Sequence, residues 1–195
     1  MERVCGGRRA GRGGERWRLA HRYMVRLART YWDMLRTNTL EKGATRVALV
    51  NIPDITLTPR FRSIAAREAA EQGPQAGAEF QAALRSWIVA FNTELARLAA
   101  GESRVVVVDY FADFTAHNAT PAAFGLTNAT QASCPPIGGF LACTDAALDA
   151  SPAAAGLVAG WWKTWLYSDP FHPSPRGHEL QGMGVVGAVQ RAGWR

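Results

Sequence analysis

Residues 46–54 read RVALVNIPD, and residues 104–110 read RVVVVDY. Each holds a run of four apolar residues, Val47–Val50 and Val105–Val108, that begins after an arginine and stops at a polar turn. A strand with one face in water alternates apolar and polar residues. A short run that is apolar throughout reads as a strand covered on both faces, as in a parallel sheet. Between the two runs lies 76–100, where Phe80, Leu84, Trp87, Ile88, Phe91, Leu95 and Leu98 fall on one helical face. Gly101 then caps that helix. Strand, helix and strand in this order make a βαβ unit, so the fold class is α/β with a parallel sheet.

Upstream, Tyr23, Leu27, Tyr31, Met34 and Leu35 keep helical spacing, which predicts an amphipathic helix over 17–41 ended at Gly43. Residues 52–62 are expected as a loop at the carboxyl end of the first strand. Residues 111–150, with their Pro, Gly and Asn, read as irregular, and an irregular stretch of that length usually serves as a lid or binding wall. Ser151-Pro152 places a capping serine before a proline, which predicts a short helix to about Lys163. Trp165 to Tyr167 reads as extended, and Ser174-Pro175 opens a last helix to about Arg191.

With 195 residues and 48% hydrophobic content, the chain is long and apolar enough for one packed domain. No apolar run approaches the roughly 20 residues of a membrane span. The formal net charge of +6 is local. Residues 1–29 carry nine arginines against Glu2 and Glu15, which leaves 30–195 near neutral. Residues 1–16 (MERVCGGRRAGRGGER) are expected to be a disordered basic tail, with the domain at 17–195. No nucleic-acid module accompanies the tail, so no nucleic-acid partner is expected. Arginines interrupt every apolar stretch before residue 30, so no signal peptide is legible. Cys134 and Cys143 flank CPPIGGFLAC. Their spacing permits a disulfide-closed loop and hence an oxidising compartment, while two free thiols is the plain alternative. Cys5 has no obvious partner.

The chemistry concentrates in 168–180, SDPFHPSPRGHEL. Asp169 and His172 stand three apart in a loop stiffened by Pro170 and Pro173, so little ordering entropy separates carboxylate from imidazole. A carboxylate against one ring nitrogen fixes the tautomer and stabilises the imidazolium formed when histidine takes a proton from a nucleophile. A metal reading of Asp169, His172 and His178 requires two histidines to converge across Pro173 and a helix start. No metal or organic cofactor is expected.

DPFHPSPRGHEL resembles the last block of GDSL/SGNH hydrolases, and further segments agree in order. VALVNIPDITLTPRF, FNTELARL and VVVVDYFADFTAHNATPAAFGLTNAT, followed by Cys134 and Cys143, are similar to successive parts of that family. The last of these resembles the branch of secreted phospholipase/haemolysin-like lipases and outer-membrane esterases. The resemblance covers about 30–195, the C-terminal portion of such a domain. It implies a three-layer αβα sandwich with a flavodoxin-like parallel sheet whose N-terminal strands are missing. It also implies a Ser-His-Asp ester hydrolase acting on acyl esters or lipids, with Asp169 as the acid and His172 as the base. The family's secreted, periplasmic or outer-membrane location is the expected setting. Asn51, Pro53 and Asp54 fall near the family's site, though a strand-ending turn explains them equally well. His178 and Asn92 are expected to be structural. Trp161, Trp162, Trp165 and Phe171 offer an acyl-binding wall, with a plain core cluster the simpler reading.

The departures are as informative. The sequence contains no Gly-Asp-Ser and no Gly-x-Asn-Asp, so the family's nucleophilic serine and its oxyanion Gly and Asn have no counterpart. None of Ser63, Ser86, Ser103, Ser133, Ser151, Ser168 or Ser174 sits in a strand-to-helix elbow. The rival expectations are a catalytically inactive remnant and a binding module. The sheet, lacking a neighbouring strand, is expected to self-associate through its exposed edge.

Overall fold

The structure is a computed structural model that describes residues 9–134, 142–151 and 156–194, with side chains from residue 18 onward. Helix α1 (Arg9–Leu35) continues into a wider π turn over Arg36–Leu40, and Gly43 reverses the chain at φ 98°. It begins at Arg9 rather than at Trp17. Extending an existing helix needs no new nucleus, so even Gly/Arg-rich sequence can be carried along. Cys5 and the tail's first eight residues lie outside the described residues.

Strand β1 (Val47–Val50) pairs in parallel with β2 (Val105–Val108), in the register Val47↔Val105 to Val50↔Val108. The crossover is α3 (Pro74–Ala99). On one side of this pair, Ala28 and Trp32 of α1, Leu49, and Phe91, Leu95 and Ala99 of α3 form a buried cluster joined by Val105 and Val107. On the other side, Val50 joins a cluster of Tyr110, Phe114, Leu126, Leu166, Tyr167 and Leu180, and α6 (Pro175–Arg191) packs against both strands. The result is the αβα layering expected of a parallel sheet. One expectation fails: Ala48 is exposed, so β1 is not covered on both faces.

The regions expected to be irregular are more regular than their composition suggests. Ile55–Leu57 forms a 3-10 turn capped by Asp54, and α2 (Pro59–Gln72) follows with Pro59 at its first position, where a missing N–H costs no helical bond. After β2, Asp109 accepts the Ala112 N–H and caps α4 (Tyr110–Ala119). Strand β3 (Asn128–Ala132) pairs in parallel with β4 (Trp165–Tyr167) across an irregularity, giving a second two-stranded sheet. A short helix α5 (Asp145–Asp149) lies between them in the chain. The helix expected from Ser151 to Lys163 is not continuous. Residues 152–155 lie outside the described residues, Gly160 turns left-handed at φ 77°, and a 3-10 turn over Trp161–Thr164 leads into β4.

Candidate active site

The loop after β4 folds back on its own strand. Tyr167 bridges Pro173 in antiparallel fashion, Ser168 N–H donates to the His172 carbonyl (3.0 Å), and Ser174 N–H to the Leu166 carbonyl (2.8 Å). Inside this turn the two oxygens of Asp169 divide the work. Oδ1 accepts the backbone N–H groups of Phe171 and His172, both at 2.7 Å, and Oδ2 lies 2.7 Å from His172 Nδ1. The pair expected from the sequence is therefore assembled within one tight turn. Partial burial pushes the Asp169 carboxyl upward. The His172 backbone N–H, the His172 ring and the Phe171 N–H together outweigh this and hold it below the usual carboxylate range. A charged acceptor at Nδ1 keeps that nitrogen protonated, so the neutral ring presents the lone pair of Nε2. The His172 side chain is 64% exposed, and Nε2 has no hydrogen-bond partner among the described residues.

Neighbouring elements hold this loop. Arg60 N–H, in the first turn of α2, donates to the Pro170 carbonyl (2.8 Å), and the Phe171 ring meets Phe61 edge-on with centroids 6.0 Å apart. The Tyr167 hydroxyl donates to Asn118 Oδ1 (2.9 Å), with the Leu57 carbonyl also within reach. Burial pushes the Tyr167 phenol well up, so it stays a donor. Ser174, the N-cap of α6, accepts Gly177 N–H at 3.1 Å and donates to the Trp165 carbonyl. Gly177 is buried where a Cβ would stand 2.7 Å from the Leu166 carbonyl oxygen and 2.8 Å from Pro173 Cβ, so only glycine lets α6 approach β4 this closely.

The cysteines are joined. Cys134 and Cys143 form a disulfide with Cα atoms 5.4 Å apart, and Cys134 N–H donates to the Ser168 carbonyl (2.7 Å), beside Asp169. Ser133 N–H bonds the Tyr167 carbonyl (3.1 Å). The disulfide, Ser168, Ser174, Trp162 and His178 line a cavity of about 280 Å³ at the back of the loop, and His172 is not part of that lining.

The other expected residues separate. Asn51 is buried, its amide donating to Asp109 Oδ1 (2.9 Å) and its oxygen accepting Phe111 N–H (2.8 Å). Asn92 grips both backbone groups of Ile52, at 3.0 and 2.8 Å. Both are structural, tying strand ends to helices. Pro53 is half-buried, and its carbonyl accepts the Ile55 N–H. Asp54 is fully buried. Its Oδ1 accepts from the Thr56 N–H and hydroxyl, and its Oδ2 is 2.8 Å from Arg85 Nη1, an ion pair without hydrogen-bond alignment. His178, expected to be structural, is exposed at the start of α6, and its ring makes no hydrogen bond among the described residues. It does not join a metal set with Asp169 and His172: no group of three or more His, Cys, Asp or Glu placed to hold an ion occurs among the described residues. Trp161 and Trp162 pack on Leu148 as core, with Trp165 against them, while Phe171 meets Phe61 in a different neighbourhood. The four aromatics do not make one wall.

Arg60, Phe61, Asn118 and Tyr167 carry much of the loop's support, and none of the four stands out as a site residue in the sequence. Thr58-Pro59 is the available signal, the same cap-then-proline pair that marks α6 at Ser174-Pro175.

Parallel strands crossed over by helices, with a carboxylate-oriented histidine on a loop after the last strand, define an α/β protein with an Asp–His pair presented to solvent. A family model, GDSL-like Lipase/Acylhydrolase, matches residues 14–185. The chain belongs to this family, and its class is that of ester hydrolases. Comparison with curated proteins returns no match. No helix among the described residues is long and apolar enough to cross a membrane.

Proposed function

We propose that Asp169 and His172 are the acid and the general base of a Ser-His-Asp hydrolase of carboxylic esters, with acyl lipids as the substrate class. The observation that carries this reading is the 2.7 Å contact from Asp169 Oδ2 to His172 Nδ1, with Oδ1 fixed by two backbone N–H groups. In the reaction, Nε2 removes the proton of the attacking serine hydroxyl as its oxygen bonds to the ester carbonyl carbon. The imidazolium is stabilised by Asp169 and returns the proton to the departing alkoxide. Water then repeats the sequence on the acyl-enzyme. We further infer that the protein works in an oxidising setting outside the cytosol, a reading supported by the disulfide beside the loop.

A second reading, an inactive relative or a binding module, has its own observation. The sequence holds no Gly-Asp-Ser, and no serine hydrogen-bonds Nε2 among the described residues. Without that serine, turnover by His172 alone is expected on the order of 10⁶-fold below a complete triad. The test is hydrolysis of a short-chain p-nitrophenyl ester by the purified chain, its His172→Ala variant and a sample treated with an organophosphonate. Turnover that His172→Ala abolishes is the expected result; if that turnover is slow and the phosphonate leaves it untouched, the second reading holds. Turnover equal in wild type and His172→Ala removes the general-base role. Fast, phosphonate-sensitive turnover instead means that one of the seven serines is the nucleophile.

A further inference from the structure

Along α1, Leu19, Tyr23, Leu27, Tyr31 and Met34 form a continuous stripe at four- and three-residue spacing. All five are exposed, from 38% at Leu27 to 59% at Met34. The helix already has an apolar face in use, where Ala28 and Trp32 are buried with Leu49, Phe91 and Leu95. The stripe is a second apolar face beside it, and an exposed contiguous patch of large apolar side chains marks a contact surface. Beneath the same helix, β1 has β2 as its one paired strand among the described residues. Val47 N–H and Asn51 N–H point to Arg104 and Val108 carbonyls. By strand alternation, Ala48 and Val50 therefore turn their N–H and C=O groups to the other edge, where no strand stands among the described residues. Ala48, at that edge, is exposed.

We propose that a second copy of this chain covers both features, with β1 pairing antiparallel to its counterpart about a two-fold axis and the two α1 stripes packing side by side. The chemistry of the edge selects a polypeptide, because a lipid surface offers nothing to satisfy alternating N–H and C=O groups. The geometry selects a copy of the same chain. One two-fold axis normal to the sheet places both α1 helices on the same face and matches an edge and a stripe with their own equivalents, as a self-complementary contact requires. Charge sets the salt response. Arg29 is paired with Glu94 and Arg36 with Glu41, whereas Arg18, Arg22 and Arg26 are exposed and meet no carboxylate among the described residues. Each copy carries a formal net charge of +6, so the two repel at long range and added salt strengthens the dimer. Binding to an anionic surface would weaken with salt instead. The proposal does not depend on ester hydrolysis.

The experiment is sedimentation velocity of the full chain over a wide micromolar range, at low and high salt, with hydrogen exchange at the Ala48 and Val50 amides. The expected result is a concentration-dependent dimer, tighter at high salt, with both amides protected. Leu27→Glu should raise the dissociation constant about 30-fold or more, the loss of one interface anchor, and should expose both amides. Ala48→Pro should weaken the dimer as well. Its N–H is not used by β2, so the β1–β2 ladder is retained, and circular dichroism checks that both variants fold. A wild-type monomer at every concentration overturns the proposal. So does a dimer that neither variant weakens, or adsorption to anionic phosphatidylglycerol vesicles that salt abolishes without any self-association.

Discussion

Around Asp169, the chain from Tyr167 to Ser174 is tied to the segment after β3 through Cys134, to α2 through Arg60 and Phe61, to α4 through Asn118, and to α6 through the Ser174 cap. Around Ala48, no strand among the described residues covers the neighbouring edge, and the stripe from Leu19 to Met34 is exposed. Both regions are made of short parallel strands and amphipathic helices, so element type does not explain the contrast. The number of independent partners per backbone segment does. A turn fixed from several directions keeps a 2.7 Å contact between two side chains without further ordering, which is what the acid and base roles proposed for them need. An open edge and an uncovered stripe leave free energy for association to gain.

The largest difference between the two regions should appear in truncations. Leu166, fully buried beside the loop, should cost about 2–5 kcal/mol when replaced by alanine. Met34→Ala, on the stripe, should change monomer stability by less than about 0.5 kcal/mol. Urea denaturation of the two variants compares them directly, and equal losses would mean that the stripe is already packed within the monomer. Next in size is the disulfide. A double Cys134→Ala/Cys143→Ala variant releases a loop of about ten residues and should lose about 2–3 kcal/mol. If thermal melting shows no loss, Cys134 is not a clamp on the loop beyond its hydrogen bond to Ser168.

The smallest expected effect is electrostatic and belongs to the α1–α3 contact. Hydrogen bonds from Arg97 and Arg29 hold the Glu94 carboxyl down at about 2. A folded-state value below the unfolded one contributes stability above the ordinary 4.5 that is lost as pH falls toward about 2. Melting between those limits should therefore show a decline that is shallower in Glu94→Gln, the remainder belonging to Glu102 and Asp169, whose carboxyls are also held low. An identical decline in both would assign the acid sensitivity to other carboxylates.

The parts of the fold legible in the sequence are those where local pattern and tertiary environment agree. The four-valine run of β2, the single apolar face of α3 and the Ser174-Pro175 start of α6 each declare themselves. Asp169 and His172 are legible because three residues of a proline-bounded turn bring them together without help from distant sequence. The rest depends on distance. Asn128–Ala132 (NATQA) has little strand character of its own and is extended because Trp165–Tyr167 pairs with it. The α4 start is hidden by reading Asp109 as the end of a strand, when it is also the cap of the next helix. Ser151-Pro152 shows the limit of a local signal, since the left-handed Gly160 breaks the expected helix before Lys163. The exposure of Ala48 is illegible because an apolar run says that a strand can be covered, not that it is.

One consequence of the Asp169 turn concerns what an isosteric amide would do there. An asparagine oxygen in the place of Oδ1 can accept the same two backbone N–H groups, so the fold of 168–173 has no reason to change. The amino group in the place of Oδ2 can only donate, and the ring nitrogen facing it must then carry a lone pair. The proton moves to Nε2, and the imidazole offers a donor where it should accept. Shape and proton inventory are thus written in different atoms of one side chain, and a replacement can keep the first intact while reversing the second.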